Sequence, residues 1–274
     1  MSVSRVTEEW MDGDVLIVRF NHKNSHNPMS RELSQAIISA CRRASDDPRI
    51  GALVLTGGPG RSFCVGGDFN EVQKLKTASD VERWIDETIE LYAAVLSINK
   101  PVVAAIDGYA IGIGFQLALV CDVRIGTPAC QFVMPELEKG IACILGTYML
   151  EVFFGRAAMM TTVLGCRPLH AEECARRDLL QTIVSEDDLL SVATRQAATL
   201  SAYPAIPFRD TKRFGNRNFL AGLAGISTEC KEVHKRAFAA RTAAKHFEAI
   251  LGTRAAAVEG EAQLKSETAK ASVG

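Results

Sequence analysis

Three short segments of this chain carry the residue types that acyl chemistry needs. Gly66-Gly67-Asp68 and Gly112-Ile113-Gly114 each follow an apolar run and precede a helical pattern. A glycine turn at such a junction leaves backbone N–H groups unpaired at the positive end of a helix, where they can face an anion. Two turns of this kind from neighbouring strands would aim two amides at one oxygen. That geometry holds a carbonyl oxygen while it gains negative charge, and one donor is worth roughly 3–4 kcal/mol. The third segment, Phe132-Val133-Met134-Pro135-Glu136-Leu137, sets a carboxylate among apolar residues. Such surroundings raise a carboxyl pKa toward the range useful for proton transfer. Gln116 lies three residues after Ile113, on the same side of a helix as the second turn. It can position a water or a substrate but cannot act as a base. Taken singly, each glycine turn reads first as a tight turn, and Glu136, like Glu138, as a solvated loop residue. Neither turn is a nucleotide loop, because no G-x-x-x-x-G-K-[ST] and no G-x-G-x-x-G occurs.

The elements that must position these residues alternate from the start. Asp14 to Phe20 and Ile50 to Thr56 have the β-branched, apolar character of buried strands, separated by an amphipathic helix running from Ser30 to about Ser45. Asp68 and Glu71 stand at capping-box spacing before a short helix, and Ser79 with Glu82 repeats the signature. The helix so opened carries Val81, Trp84, Ile85, Ile89, Tyr92 and Leu96 on one stripe, and Lys100-Pro101 stops it. Val102 to Ile106 is a third buried strand, and a turn over Asp107 to Gly112 feeds a helix from Ile113 to Cys121. Val123 to Ile125 and Gln131 to Val133 read as short strands, and beyond Ala142 the pattern turns mainly helical. Strands early and helices late give an α/β core with a helical C-terminal layer.

Composition narrows the partners. With 274 residues and 47% hydrophobic content the chain can bury a full core. Its net charge of −1 offers no footprint for a polyphosphate backbone, so nucleic acid is not an expected partner. Met1 to Trp10 lacks the apolar stretch of a signal peptide, and no later run reaches membrane-spanning length. The eight cysteines form no C-x-x-C pair and no histidine stands at metal-ligand spacing, so no metal is expected. They read as buried thiols of a cytoplasmic protein.

The motifs, in this order and at this spacing from about Val15 to Leu251, resemble the crotonase (enoyl-CoA hydratase/isomerase) superfamily. The resemblance implies a crotonase-like spiral of ββα units over residues 1–200 and a helical trimerisation region over 201–252. The tail, 253–274, is expected to be disordered. It also implies an oxyanion hole from the amides of Gly67 and Ile113, with Gly66, Asp68 and Gly112 on the coenzyme A side. Hydratases of the superfamily use two glutamates; one position matches Glu136 and the other Gln116, a departure that argues against hydration. A closer resemblance is to the carboxymethylproline synthases of carbapenem biosynthesis. It rests on Gly67 to Val72, Gly108 to Gln116, Phe132 to Leu137, and Val233-His234-Lys235 with Ala237-Phe238.

Those enzymes join malonyl-CoA to pyrroline-5-carboxylate, the cyclic form of glutamate semialdehyde, and hydrolyse the thioester to (2S,5S)-carboxymethylproline. The resemblance then implies Glu136 as the catalytic carboxylate, Gln116 as a positioning group, and Trp84 and His234 around the amino-acid half of the site. It further implies no tightly bound cofactor, coenzyme A thioester as substrate, and homotrimers that can pair into hexamers. His22 to Pro28 would border coenzyme A, and Lys245 would face a phosphate. Two other readings stay open: a malonyl-CoA decarboxylase or acyl-CoA hydrolase with the same hole, and a non-catalytic scaffold or RNA-binding relative.

Overall fold

A strand buried on both faces reads as an unbroken apolar run, and Val15-Leu16-Ile17-Val18 is one. The computed structural model describes residues 2–3 and 6–242. In chain order the elements are β1 (Ser2–Val3), β2 (Thr7–Asp12), β3 (Val15–Phe20), α1 (Arg31–Asp46), β4 (Ala52–Thr56), α2 (Phe69–Val72), α3 (Ala78–Ser97), β5 (Val102–Ile106) and β6 (Tyr109–Ile111). There follow α4 (Ile113–Val120), β7 (Val123–Gly126), β8 (Gln131–Val133), α5 (Ile144–Gly165), β9 (Leu169–His170), α6 (Ala171–Arg176), β10 (Thr182–Ile183), α7 (Glu186–Ser201) and α8 (Ala205–Ala239). The seven-stranded sheet has the order β1-β2-β3-β4-β5-β7-β10, antiparallel at β1-β2-β3 and parallel from β3 onward. A three-stranded sheet, β6-β8-β9, pairs β6 with β8 in parallel and β8 with β9 antiparallel.

Alternation along β3 divides the core. Leu16, Val18 and Phe20 join the larger cluster under α1, α3 and α4, whereas Val15 and Ile17 join Ala52, Val54, Val103 and Ala105 under Leu189, Ala193 and Ala197 of α7. Two expectations about helix starts are corrected. The box that opens α3 is Thr77 with Asp80, not Ser79 with Glu82; Glu82 pairs with Lys235 of α8 at 2.7 Å. Asp68 does cap α2 by accepting from Asn70 N, but Glu71 accepts from Arg31 N at 2.8 Å and so closes no box. The hairpin β2-β3 was not expected, and α4 ends one residue short of Cys121. All eight cysteines are buried free thiols. Among the described residues no helix is long and apolar enough to cross a membrane. Residues 253–274 and Lys245 lie outside the described residues.

The loops behind the site are tied by one buried amide. Asn27 donates through Nδ2 to the carbonyls of Gly57 (3.1 Å) and Ser62 (2.8 Å), and its Oδ1 accepts from His22 N (3.2 Å) and an Arg61 guanidinium nitrogen (3.0 Å). Both donors and both lone pairs are used, so removal of the side chain strands buried groups on two loops. Asn27→Ala is expected to lose roughly 2–4 kcal/mol in urea unfolding. A loss under about 0.5 kcal/mol, the range of surface substitutions, would show that the knot is not structural.

Candidate active site

Backbone pairing decides which way the first glycine turn faces. Met29 N donates to Gly66 O (2.7 Å) and Asp68 N donates to Met29 O (3.0 Å), which forms a parallel bridge centred on Gly67. In such a bridge the central residue's own N–H points away from the partner chain. The second turn is held against the first: Cys64 N donates to Tyr109 O, Ile111 N to Cys64 O, and Gly112 N to Val133 O. Gly112, at φ 53° and ψ −115°, occupies a region closed to other residues and hands the chain to α4, whose first amide is that of Ile113. Among the described residues neither the Gly67 nor the Ile113 N–H has a protein partner.

The turns and Glu136 meet at one cavity. A methyl group at Gly112 would stand 3.0 Å from Glu136 Oε1 and 3.9 Å from Gly66 Cα, and one at Gly67 would stand 3.6 Å from Ile113 Cδ1. Gly66, Gly67, Gly112, Ile113, Gln116, Glu136, Trp84 and His234 all line one cavity that is part open to solvent. Glu136 was expected on a loop; it opens a 3-10 turn over Leu137–Lys139, closed by left-handed Gly140. Its carboxylate is buried. Oε1 accepts from Gln116 Nε2 at 3.3 Å and Oε2 has no hydrogen-bond partner. Burial pushes its pKa up to about 7, against the smaller opposing effects of its own backbone N–H and the Cys143 thiol.

Gln116 is locked from behind by a residue that sequence reasoning left in the core stripe. The fully buried Tyr92 hydroxyl donates to Gln116 Oε1 at 2.7 Å, which turns Nε2 toward Glu136. A tyrosine in an apolar stripe needs a hydroxyl partner, and that requirement was the available signal. Trp84 stands edge-on to His234 and Phe238, with ring centroids 6.0 and 6.1 Å away. The His234 ring faces the Cys230 carbonyl at 2.7 Å, and burial lowers its pKa against the opposing effect of the Cys230 and Ala142 carbonyls. Asp68 does not line this cavity. It lies in the adjoining groove with Met29, Arg31 and Lys74, its carboxylate occupied by Asn70 and 3.8 Å from His22 Nε2.

The enoyl-CoA hydratase/isomerase family model matches residues 11–259, nearly the whole chain. The chain belongs to that family. Within the enoyl-CoA hydratase/isomerase family it is 43% identical over 249 residues to a carboxymethylproline synthase of Pectobacterium carotovorum subsp. carotovorum, covering 91% of this chain and 99% of that one. It is 28% identical over 200 residues to the 2,3-dehydroadipyl-CoA hydratase of Escherichia coli (strain K12), covering 73% and 77%. Among solved structures it superposes on ThnE from S. clavuligerus with a TM-score of 0.73 and 37% identity, covering 83% of this chain and all of the other. An enoyl-CoA hydratase/isomerase from Mycobacterium paratuberculosis shares the fold at a TM-score of 0.82 and 21% identity, covering 90% and 99%. The crotonase fold expected from the motifs is therefore the fold observed.

Burial of Glu136 has a cost that depends on pH. Its folded pKa of about 7 lies above the ordinary 4.5, so between those values the native state holds a proton that the unfolded chain has released. Stability contributed by Glu136 is thus present below pH 4.5, falls as pH rises through 7, and stays low above it. Glu136→Gln is expected to raise the melting temperature by several degrees at pH 8 and by much less at pH 5, measured by calorimetry. An equal change at both pH values would contradict a desolvated carboxyl.

Proposed function

We propose that this enzyme couples the enolate derived from malonyl-CoA to L-pyrroline-5-carboxylate and then hydrolyses the thioester, releasing (2S,5S)-carboxymethylproline. The observation that carries the reading is the charge inventory of the cavity: Glu136 is the only Asp or Glu among its described lining residues. Addition of water across a double bond by two glutamates has no second carboxylate here, since Gln116 occupies the other place. Similarity to a protein named carboxymethylproline synthase supports the same choice.

The steps suit the parts. Malonyl-CoA bound with its thioester oxygen between the Gly67 and Ile113 amides loses carbon dioxide, and the electron pair of the broken C–C bond becomes the enolate. The amides gain strength as charge grows on the oxygen, so they accelerate the step rather than only binding. The enolate carbon attacks C5 of the protonated imine, which forms the new C–C bond and gives a secondary amine. Water then enters beside the same thioester carbonyl and loses a proton to Glu136, and free coenzyme A leaves. A base with a pKa of about 7 suits that last step near neutrality. Gln116, fixed by Tyr92, holds Glu136 and the water in register. This chemistry puts the enzyme in carbapenem biosynthesis, in the cytoplasm. We propose trimers as its assembly, with Val152, Phe153 and Leu164 among the exposed apolar side chains available for contact.

Mass analysis with both substrates should give carboxymethylproline, carbon dioxide and free coenzyme A. Turnover of malonyl-CoA at full rate without the imine, and no carboxymethylproline with it, would make the enzyme a decarboxylase or hydrolase instead. Glu136→Gln is expected to accumulate the carboxymethylproline thioester and to slow acid release by roughly 100-fold or more. In the unaltered enzyme acid release should rise with pH and level off above about 7, as Glu136 loses its proton. A hydrolytic rate that is flat from pH 5 to 8 would remove Glu136 as the base.

A further inference from the structure

The cavity holds one cation that the reaction above leaves without a task. Lys139 lines it, half-buried, and among the described residues the cavity wall contains no other Lys or Arg. Its ammonium has no ion pair or hydrogen bond to any described residue. A lone cation on a cavity wall is placed to attract an anionic ligand. His234 is a weaker candidate for the role, because burial disfavours its charged form and its Nδ1 faces the Cys230 carbonyl at 2.7 Å.

The geometry points to Lys139 as the group that binds the carboxylate of the imino acid and so fixes the orientation in which C5 meets the enolate. This assignment rests on the reaction proposed above. Lys139 belongs to the same turn as the catalytic carboxylate: its N–H donates to the carbonyls of Pro135 (3.2 Å) and Glu136 (3.0 Å). The segment that follows runs along the aromatic end of the cavity, where Ile141 packs in one cluster with Trp84 and Phe238, and Ala142 offers its carbonyl to His234. Along the chain Lys139 therefore lies between Glu136 and the residues that pack with Trp84 and face His234.

Three anions could meet it, and chemistry separates them. A lysine paired with the malonyl carboxylate would stabilise the charge that decarboxylation must remove, holding back the ground state and slowing the step. The coenzyme A phosphates lie the full length of the pantetheine arm from the thioester, whereas Lys139 shares a turn with the group that acts on it. The imino-acid carboxylate survives the whole reaction, so a lasting ion pair with it costs no later step. In pyrroline-5-carboxylate the carboxylate-bearing carbon and the iminium carbon are both bonded to the ring nitrogen, so holding the carboxylate fixes where the iminium carbon stands.

The test compares Lys139→Met and Lys139→Arg with the unaltered full chain, with carboxymethylproline measured against the concentration of each substrate. Lys139→Met should raise KM for pyrroline-5-carboxylate roughly 10-fold or more, with a much smaller change in KM for malonyl-CoA, and Lys139→Arg should recover most of the loss. With 1-pyrroline, the same ring without its carboxylate, the difference between the Met variant and the unaltered enzyme should vanish. A KM for pyrroline-5-carboxylate within about twofold of the unaltered enzyme, or an equal loss with 1-pyrroline, overturns the assignment. A rise confined to KM for malonyl-CoA does so too, and gives Lys139 to the malonyl carboxylate or a phosphate. Absence of carboxymethylproline from the unaltered enzyme would instead overturn the reaction on which the assignment rests.

Discussion

Two peptide N–H groups held without a protein acceptor, on the wall of a mostly apolar cavity, are the constraint around which this molecule is built. Buried main-chain donors are nearly always paired, and each orphan costs about 1–3 kcal/mol. The Gly67 amide stays free because Met29 bonds the groups on either side of it and never Gly67 itself. The Ile113 amide stays free because a helix begins there, and because Gly112 uses its own N–H on Val133. The bridges from Cys64 to Tyr109 and Ile111 lock the two turns to each other. Strands β4 and β5, parallel neighbours buried on both faces, deliver both turns to the same edge of the core. What the backbone lacks there, a substrate oxygen can supply.

The second constraint is a single desolvated carboxyl. Two carboxylates in one cavity split their titrations, one raised strongly by the other. Here the neighbour of Glu136 is an amide, and its orientation is set from deeper in the core by the Tyr92 hydroxyl. The raised pKa of Glu136 comes first from burial and not from a like charge. A lone acid near pKa 7 can take a proton from water, yet is uncharged for part of the time near neutrality. Another part of the wall is aromatic: Trp84 meets His234 and, behind it, Phe238 edge-on. Charge thus enters the cavity only through Glu136 and Lys139 among the described lining residues.

Much of this was legible in the residues because the signals were local. The buried strands announce themselves by apolar runs, and the glycine turns by their place between strand and helix. Glu136, Gln116, Trp84 and His234 line one cavity. The failures were equally physical. Helix α3 offers two candidate boxes two residues apart, and only the backbone trace tells that Thr77 and Asp80 close while Glu82 is drawn to Lys235. The strand β2 is half-exposed and mixed in character, so it stands out only once paired with β3. Tyr92 and Lys139 were hidden for opposite reasons. One polar atom sat in an apolar stripe, and one charge sat in a turn where charges are ordinary.

The polarising action of the Gly67 and Ile113 amides can be measured directly by infrared difference spectroscopy of acetyl-CoA labelled with carbon-13 at its thioester carbonyl. Bound to the enzyme, that carbonyl should stretch at a lower frequency than in water, because two fixed donors draw its electrons toward oxygen more strongly than solvent does. A band at or above the solution frequency would mean an oxygen resting in apolar surroundings, and the account of the site would be wrong at its centre.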